Sequence, residues 1–344
     1  MRVIYAKGDT DGERWEQFVS SSVAATCYHR WNWKGVIERS FGWPTYYLLA
    51  EDEGCIAGLL PLVWQKSILF GSFLTSLPFL NAGGILSASK EAERALLTEA
   101  VEIAHRIGAS SIEFRHREPR HLGLPVKNNK VTLVLPIYED SELTWKALDT
   151  KVRTKVRKAC SFGMSAEFGS AEYLDDFYAV FAHNMRELGT PVYSRTVFAE
   201  ILRAFPDDAF LCRIRHQGKI IAVSLLCAFR ERIEAVWSSS LHTHLHLKPN
   251  MFLYWSLLSH FGSKGFRLFD FGRSSVGSGT YVFKQQWGAQ PVPLYWDTWL
   301  SSGDSKLPER NPENPRYQLA IRLWQKLPLP VTKLIGPRLV RCLP

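Results

Sequence analysis

The sequence predicts an α/β (α+β) chain of two tandem domains, each a mixed, mostly antiparallel sheet flanked by helices. Three observations carry this expectation. A chain of 344 residues, 46% hydrophobic and 22% charged, lies in the globular range and is long enough for two units of roughly 150 residues. A pattern of strand, tight turn and strand occurs twice. Each copy is followed by a further strand, an amphipathic helix and a short return strand.

In the first copy, Tyr46-Tyr47-Leu48-Leu49-Ala50 reads as a strand, Glu51-Asp52-Glu53-Gly54 as a turn and Cys55-Ile56-Ala57-Gly58-Leu59-Leu60-Pro61-Leu62 as its partner. The second copy runs from Phe210-Leu211-Cys212-Arg213-Ile214 through His216-Gln217-Gly218 into Lys219-Ile220-Ile221-Ala222-Val223-Ser224-Leu225-Leu226. Turn glycines Gly54 and Gly218, and the small residues Gly58 and Ala222, fall in matching slots. One turn position needs positive φ, which glycine adopts without steric cost. Helices are predicted over 90–107 and 250–261, closing near Gly108 and Gly265, with return strands at 111–115 and 267–271. Meander, helix and return strand is the element order of a GNAT core. Two GNAT-like domains are therefore expected, over residues 1–140 and 141–300, the second opening on a basic helix and followed by a basic amphipathic tail over 301–344.

Charge narrows the partners without choosing one. With 42 Lys plus Arg against 33 Asp plus Glu, the net charge of +9 favours phosphates, RNA or acidic lipid. The densest run lies in a predicted helix, where Lys151, Arg153, Lys155, Arg157 and Lys158 cannot share one face at 3.6 residues per turn. It reads either as a solvated linker helix or as a phosphate or RNA contact. From Pro315 onward Lys and Arg alternate with apolar residues and no Asp or Glu occurs. That composition suits either a membrane's inner surface or packing back on the protein.

Several chemistries are disfavoured. The six cysteines form no C-x-x-C pair, so neither a zinc site nor a disulfide scaffold is indicated. His242, His244 and His246 would converge on a metal only along an extended strand, and no Cys or carboxylate lies nearby to complete a site, so no metal is expected. Hydrolase, NTPase and dehydrogenase fingerprints are absent. The N-terminal Met-Arg-Val-Ile-Tyr-Ala-Lys lacks the apolar core of a secretory signal. A cytoplasmic protein is expected, with peripheral contact at the inner face of the membrane. The uncharged stretch 67–89 is broken by Pro78, Asn81, Gly83 and Gly84 and reads as buried sheet rather than a span.

The segment Phe269-Asp270-Phe271-Gly272-Arg273-Ser274-Ser275-Val276-Gly277-Ser278-Gly279-Thr280-Tyr281-Val282-Phe283-Lys284 reads as a strand ending in a glycine-rich loop. Such a loop is either an anion cradle, with backbone N–H groups and the Arg273 fork, or a flexible connection. Phe283-Lys284 followed by Trp287-Gly288 resembles the Phe-Lys motif of the FemABX transferases. The basic helix from Trp145 to Gly163 is similar to the one that opens that family's second domain. Pro78-Phe79-Leu80-Asn81-Ala82-Gly83-Gly84, Met185-Arg186-Glu187-Leu188-Gly189-Thr190-Pro191 and the Leu323-Trp324-Gln325-Lys326-Leu327-Pro328 tail resemble the FemAB-related branch associated with PEP-CTERM and exosortase systems.

The resemblance implies an N-acyltransferase that passes an acyl or aminoacyl group to an amine of a cell-envelope or exopolysaccharide precursor. It implies no resident cofactor, acyl-CoA or aminoacyl-tRNA as co-substrate, and a nucleotide- or lipid-linked saccharide as acceptor, with transfer RNA as a further partner. The catalytic lysine of the motif carries onto Lys284, whose ammonium would stabilise the oxyanion by about 3 kcal/mol. Asp270 is placed beside it in catalysis, although Asp270 and Glu113 each read equally as proton acceptors or as members of structural ion pairs. Arg273, Ser274, Gly277, Gly279, Tyr281, Phe283 and Trp287 are the expected substrate contacts, with Arg186 and Arg195 as further cations. Arg153, Arg157 and Lys158 are the expected donor contacts.

Two departures qualify the likeness. Neither 240–250 nor 81–90 carries the Arg/Gln-x-x-Gly-x-Gly/Ala turn by which GNAT domains hold a pyrophosphate on backbone amides. The long helical arm of some FemA and FemB proteins has no counterpart either. The alternative function is a non-catalytic saccharide-binding or scaffold component of an export or protein-sorting system.

Overall fold

The computed structural model describes residues 1–67, 71–304 and 315–342. In chain order the strands are β1 (Arg2–Tyr5), β2 (Thr45–Asp52), β3 (Cys55–Ser67), β4 (Gly71–Thr75), β5 (Leu86–Ser87), β6 (Ser111–His116), β7 (Val126–Lys127), β8 (Lys130–Pro136), β9 (Ser165–Gly169), β10 (Ala209–His216), β11 (Lys219–Phe229), β12 (Arg232–Ser240), β13 (Leu268–Ser275), β14 (Gln290–Pro293) and β15 (Tyr295–Leu300). The α-helices are α1 (Gly8–Ser21), α2 (Trp33–Phe41), α3 (Lys90–Ile107), α4 (Ser141–Ala147), α5 (Thr150–Cys160), α6 (Leu174–Glu187), α7 (Arg195–Ala204), α8 (Pro249–Ser263), α9 (Gly279–Gln285), α10 (Pro315–Lys326) and α11 (Leu329–Val340).

The strands form two sheets of closely similar plan. One runs β1-β2-β3-β4-β6-β15-β7, with β5 added beside β3, and the other runs β9-β10-β11-β12-β13-β8-β14. In each, an antiparallel meander meets a return strand in parallel, β6 beside β4 and β13 beside β12. The chain accordingly divides into two compact units. The first holds Met1–Lys130 and takes in β15, and the second holds Val131–Val292 and takes in α10 and α11. The expected boundaries at 140 and 300 do not mark these units. β8 lies in the second sheet although it precedes residue 140, and β15 lies in the first sheet although it precedes residue 300.

The repeat extends to the register. Both hairpins turn through two residues of positive φ, Glu53 and Gly54 in one and Gln217 and Gly218 in the other, as the right-handed twist of paired strands requires. Each hairpin slips register once near its turn, and Gly58 opposite Ala50 matches Ala222 opposite Ile214. A Cβ on Gly58 would lie 3.1 Å from Leu96 and 3.2 Å from the Leu86 carbonyl, so this slot admits only a small residue.

Each sheet is closed on one face by its helix. Ser89 accepts the Ala92 N–H at the start of α3, and Gly108 ends that helix with φ +64°. Between them Ala92, Leu96, Ala100, Ile103 and Ala104 present an i, i+4 stripe to β2, β3 and β6. The second core gathers α5 and α8 over β10 to β13, with Val152, Val156, Leu257, Phe261, Phe269, Phe271 and Trp287 buried. Stretch 67–89 supplies β4 and β5, with residues 68–70 outside those described. No helix among the described residues is long and apolar enough to cross a membrane.

Gly262 in α8 sits where a Cβ would lie 2.3 Å from the Tyr138 backbone oxygen. Gly262→Ala ought to gain about 1 kcal/mol in helix propensity, yet the backbone cannot give way as a side chain would. We expect net destabilisation of about 1–3 kcal/mol, read as a lower denaturant midpoint at unchanged m-value.

Candidate active site

Parallel strands that part company leave backbone and side chains facing a gap, and both units contain such a place. In the first, β4 and β6 pair over Phe73↔Ser111, Leu74↔Ile112 and Thr75↔Glu113. In the second, β12 and β13 pair over Arg232↔Leu268, Ile233↔Phe269 and Glu234↔Asp270, although β12 runs on to Ser240 and β13 to Ser275. The two units part ways beyond the paired residues. After β4 the chain folds over its own return strand: Ser76 N donates to Glu113 O (2.9 Å), Gly83 N and Gly84 N to Arg115 O (3.1 and 2.7 Å) and Ile85 N to His116 Nε2 (3.0 Å). The Arg115 guanidinium finishes the closure, donating to Leu80 O (2.9 Å) and pairing with Glu113 (2.7 Å). Glu113 is thus a partner of Arg115, the ion-pair member among its two expected roles.

In the second unit the chain leaving β12 turns away. Leu241 N donates to Ile221 O of β11 (2.9 Å), and a 3₁₀ turn, His242–Leu247, leads into α8. The three histidines therefore sit on a tight turn rather than an extended strand, and no cluster fit for a metal occurs among the described residues. Met251 N and Phe252 N both return to Lys248 O (3.0 and 3.3 Å).

At the parting of β12 and β13 lies a buried group of charges. Asp270 is completely buried and Glu234 nearly so. Asp270 Oδ1 accepts from Thr132 of β8 and from Gly272 N (2.8 Å), and Oδ2 faces Arg232 Nη1 at 3.4 Å. Gly272 has φ +74°, and a Cβ there would lie 2.7 Å from the Ala235 oxygen of β12. Only glycine combines this backbone conformation with so close an approach to β12.

Lys284 reaches this point from α9. Ser278 caps that helix by accepting the Tyr281 N–H, and the lysine side chain then runs back to β13. Its Nζ donates to Gly272 O (2.9 Å) and Arg273 O (3.0 Å), and the residue is only 8% exposed. Burial is the largest influence on its acidity and pulls its pKa from 10.5 down to about 8, against the opposing pull of Asp270 and Glu234. An ammonium has three N–H donors, and carbonyls take two of them. One remains.

Residues 147–285, which include all of this except Thr132, match the profile of the acetyltransferase (GNAT) domain. Over that span the second unit is GNAT-like. Among solved structures the whole chain is similar to FemX, with TM-score 0.65 at 15% identity over 93% of this chain and 100% of that one. It is also similar to the C-terminal domain of a putative lysylphosphatidylglycerol synthetase from Agrobacterium fabrum, with TM-score 0.58 at 14% identity over 85% and 93% of the two chains. A tandem GNAT protein from the clavulanic acid biosynthesis pathway gives 0.56 at 13% identity over 88% and 98%. At these identities the likeness is one of fold, and the fold is that of tandem GNAT-like proteins. Comparison with curated protein sequences gives no match.

Within the second unit the expected site residues separate. Gly272, Arg273 and Ser274 belong to β13, Gly277 lies in the turn, and Gly279, Tyr281, Phe283 and Lys284 belong to α9. The glycine-rich loop is therefore much shorter than expected, because β13 continues past Asp270 and α9 begins at Gly279. Phe283 packs against the core and Trp287 lies within it beside Tyr254 and Phe271. Arg195 pairs with Asp175 on the surface (2.7 Å), whereas the Arg186 Nε is buried without a hydrogen-bond partner among the described residues. The basic helix α5 buries Val152, Val156 and Ala159 and turns its cations outward. Arg153 donates to Thr150, Arg157 stacks over Trp145, and Lys158 lies over Phe162. Lys155 donates to Gln286 Oε1 (2.7 Å), which brings the basic helix to the C-terminal end of α9.

Sequence reasoning missed four participants: Thr132, Arg232, Glu234 and Asn184, which donates to Ser239 Oγ on the diverging part of β12 (3.0 Å). A signal lies in Arg232-Ile233-Glu234-Ala235-Val236-Trp237, where two charged residues at alternate positions interrupt an apolar run.

The depressed lysine gives a stability signature. Below about pH 8 folded and unfolded chains both hold the proton and the burial penalty is felt in full, whereas between about 8 and 10.5 only the unfolded chain holds it. Stability should therefore rise with pH across that window. Relative to Lys284→Met, the wild-type unfolding free energy is expected to climb by roughly 3 kcal/mol. A pH-independent difference would contradict the burial.

Proposed function

We propose that the chain is an N-acyltransferase, passing an acyl or aminoacyl group from a thioester or transfer-RNA ester to an amine on a phosphate-bearing envelope or exopolysaccharide precursor. The observation that carries this reading is Lys284, a buried ammonium poised where the parallel strands of a GNAT domain diverge. In such transfer the amine nitrogen attacks the acyl carbon, the carbonyl oxygen becomes an oxyanion, and the bond to the donor's sulfur or oxygen breaks as the leaving group takes up the proton released by the amine. The remaining N–H of Lys284 suits the oxyanion, and the low-dielectric surroundings strengthen that interaction.

Asp270 fits a positioning role better than that of a base, since both its oxygens are engaged and solvent does not reach it. It holds Gly272 in its bent conformation and keeps the lysine charged at neutral pH. Arg273 is the cation best placed by sequence for an acceptor phosphate, and the outward face of α5 the one for a polyanionic donor. The resemblance of 78–84 and 185–191 to the exosortase-associated branch supports a saccharide acceptor. Membership of that branch is part of the proposal.

The test is turnover with a panel of acyl thioesters and charged transfer RNAs against amino-sugar acceptors. Lys284→Ala and Lys284→Met should lower kcat by about 10²–10³-fold while the fold, followed by circular dichroism, is retained. Because the ammonium is the active form, wild-type kcat should fall as pH rises through about 8. Full activity in both variants would remove Lys284 from the chemistry, and saccharide binding without turnover of any donor would favour a non-catalytic component.

A further inference from the structure

The two C-terminal helices pack on the second unit by one side only. In α10, Trp324 is buried, Ile321 closes on Gly189, and Gln325 Nε2 donates to Glu187 O (2.8 Å). In α11, Thr332, Gly336 and Val340 are buried at i, i+4, i+8, and a Cβ on Gly336 would lie 3.0 Å from the Val192 backbone. The reverse sides face solvent. Leu319, Arg322, Leu323 and Lys326 recur at i, i+3, i+4, i+7 along one stripe of α10, with the leucines 59% and 58% exposed. On α11 Leu334 is 68% exposed and shares its side with Val331 and Arg338.

Helices that have already buried one apolar side have no folding reason to carry a second row of leucines. Nor is the charge mixed, since no Asp or Glu occurs from residue 315 to 344. We propose that this face docks the protein on an anionic lipid surface, the leucines entering the boundary of the acyl region and Arg322, Lys326 and Arg338 meeting lipid phosphates. RNA would satisfy the cations and leave the leucines in water. A second copy of the chain would cover the leucines and set cation against cation. The proposal is independent of the transfer chemistry, because none of these residues belongs to the Lys284 cluster.

The experiment is co-sedimentation of the full chain with vesicles of phosphatidylcholine alone and of phosphatidylcholine containing phosphatidylglycerol. Binding is expected only to the anionic vesicles and should weaken with added salt. Arg322→Gln with Lys326→Gln should weaken it roughly thirtyfold, as expected for two cations near the surface, and Leu319→Glu with Leu323→Glu should abolish it. All four side chains are exposed, so thermal melting should not change. Equal binding to neutral vesicles, absence of binding to anionic ones, or retention by the leucine variant would overturn the proposal. So would displacement from anionic vesicles by RNA with the leucine variant still binding RNA.

Discussion

A single buried cation organises the second unit. Lys284 spans from a seven-residue helix, Gly279–Gln285, to the backbone of β13, and its ammonium holds the Gly272 and Arg273 carbonyls beside two buried carboxylates. An isolated charge in such surroundings would be lost to deprotonation or would unfold the site. Here the carbonyls and the fields of Asp270 and Glu234 keep it, with a pKa lowered to about 8. The same contacts fix the bend at Gly272, and with it the place where the parallel strands separate.

The two units show what a duplicated scaffold can do with one opening. Both have a meander, a helix and a parallel return strand, and in both the parallel pairing spans three residue pairs. The first unit fills the opening with its own chain, with Leu77 and Phe79 accepting left-handed backbone on the way, a strain of order 1 kcal/mol or more at each. Arg115, stacked over Trp296 and bonded to two carbonyls of the covering loop, locks it shut. The second unit leaves its opening to Lys284. Among the described residues the two forks thus differ in what occupies them, a covering loop pinned by Arg115 in the first and the Lys284 ammonium in the second.

Much of this architecture was legible in the residues. Paired turn glycines, Gly54 and Gly218, and the small residues Gly58 and Ala222 reported the repeat because twist and close packing admit few alternatives there. The helix Lys90–Ile107 was marked at both ends by Ser89 and Gly108. Lys284 was legible only through a motif, since a lone lysine between aromatics says nothing of where its ammonium goes. What stayed hidden depends on pairing at long range. The sixth position of each sheet is filled by a strand from across the expected domain boundary, β15 in one and β8 in the other, and no local pattern announces that exchange. For the same reason Thr132 could not be associated with Asp270, and the Gly-Ser run after β13 suggested a longer loop than the one formed.

The lysine's own titration tests the central claim most directly. With ¹³C-labelled lysine, the side-chain resonance of Lys284, assigned by its absence in Lys284→Met, should titrate near pH 8. A midpoint at the ordinary value of 10.5 would mean that the ammonium sits in water, and the account of the site built on it would be wrong.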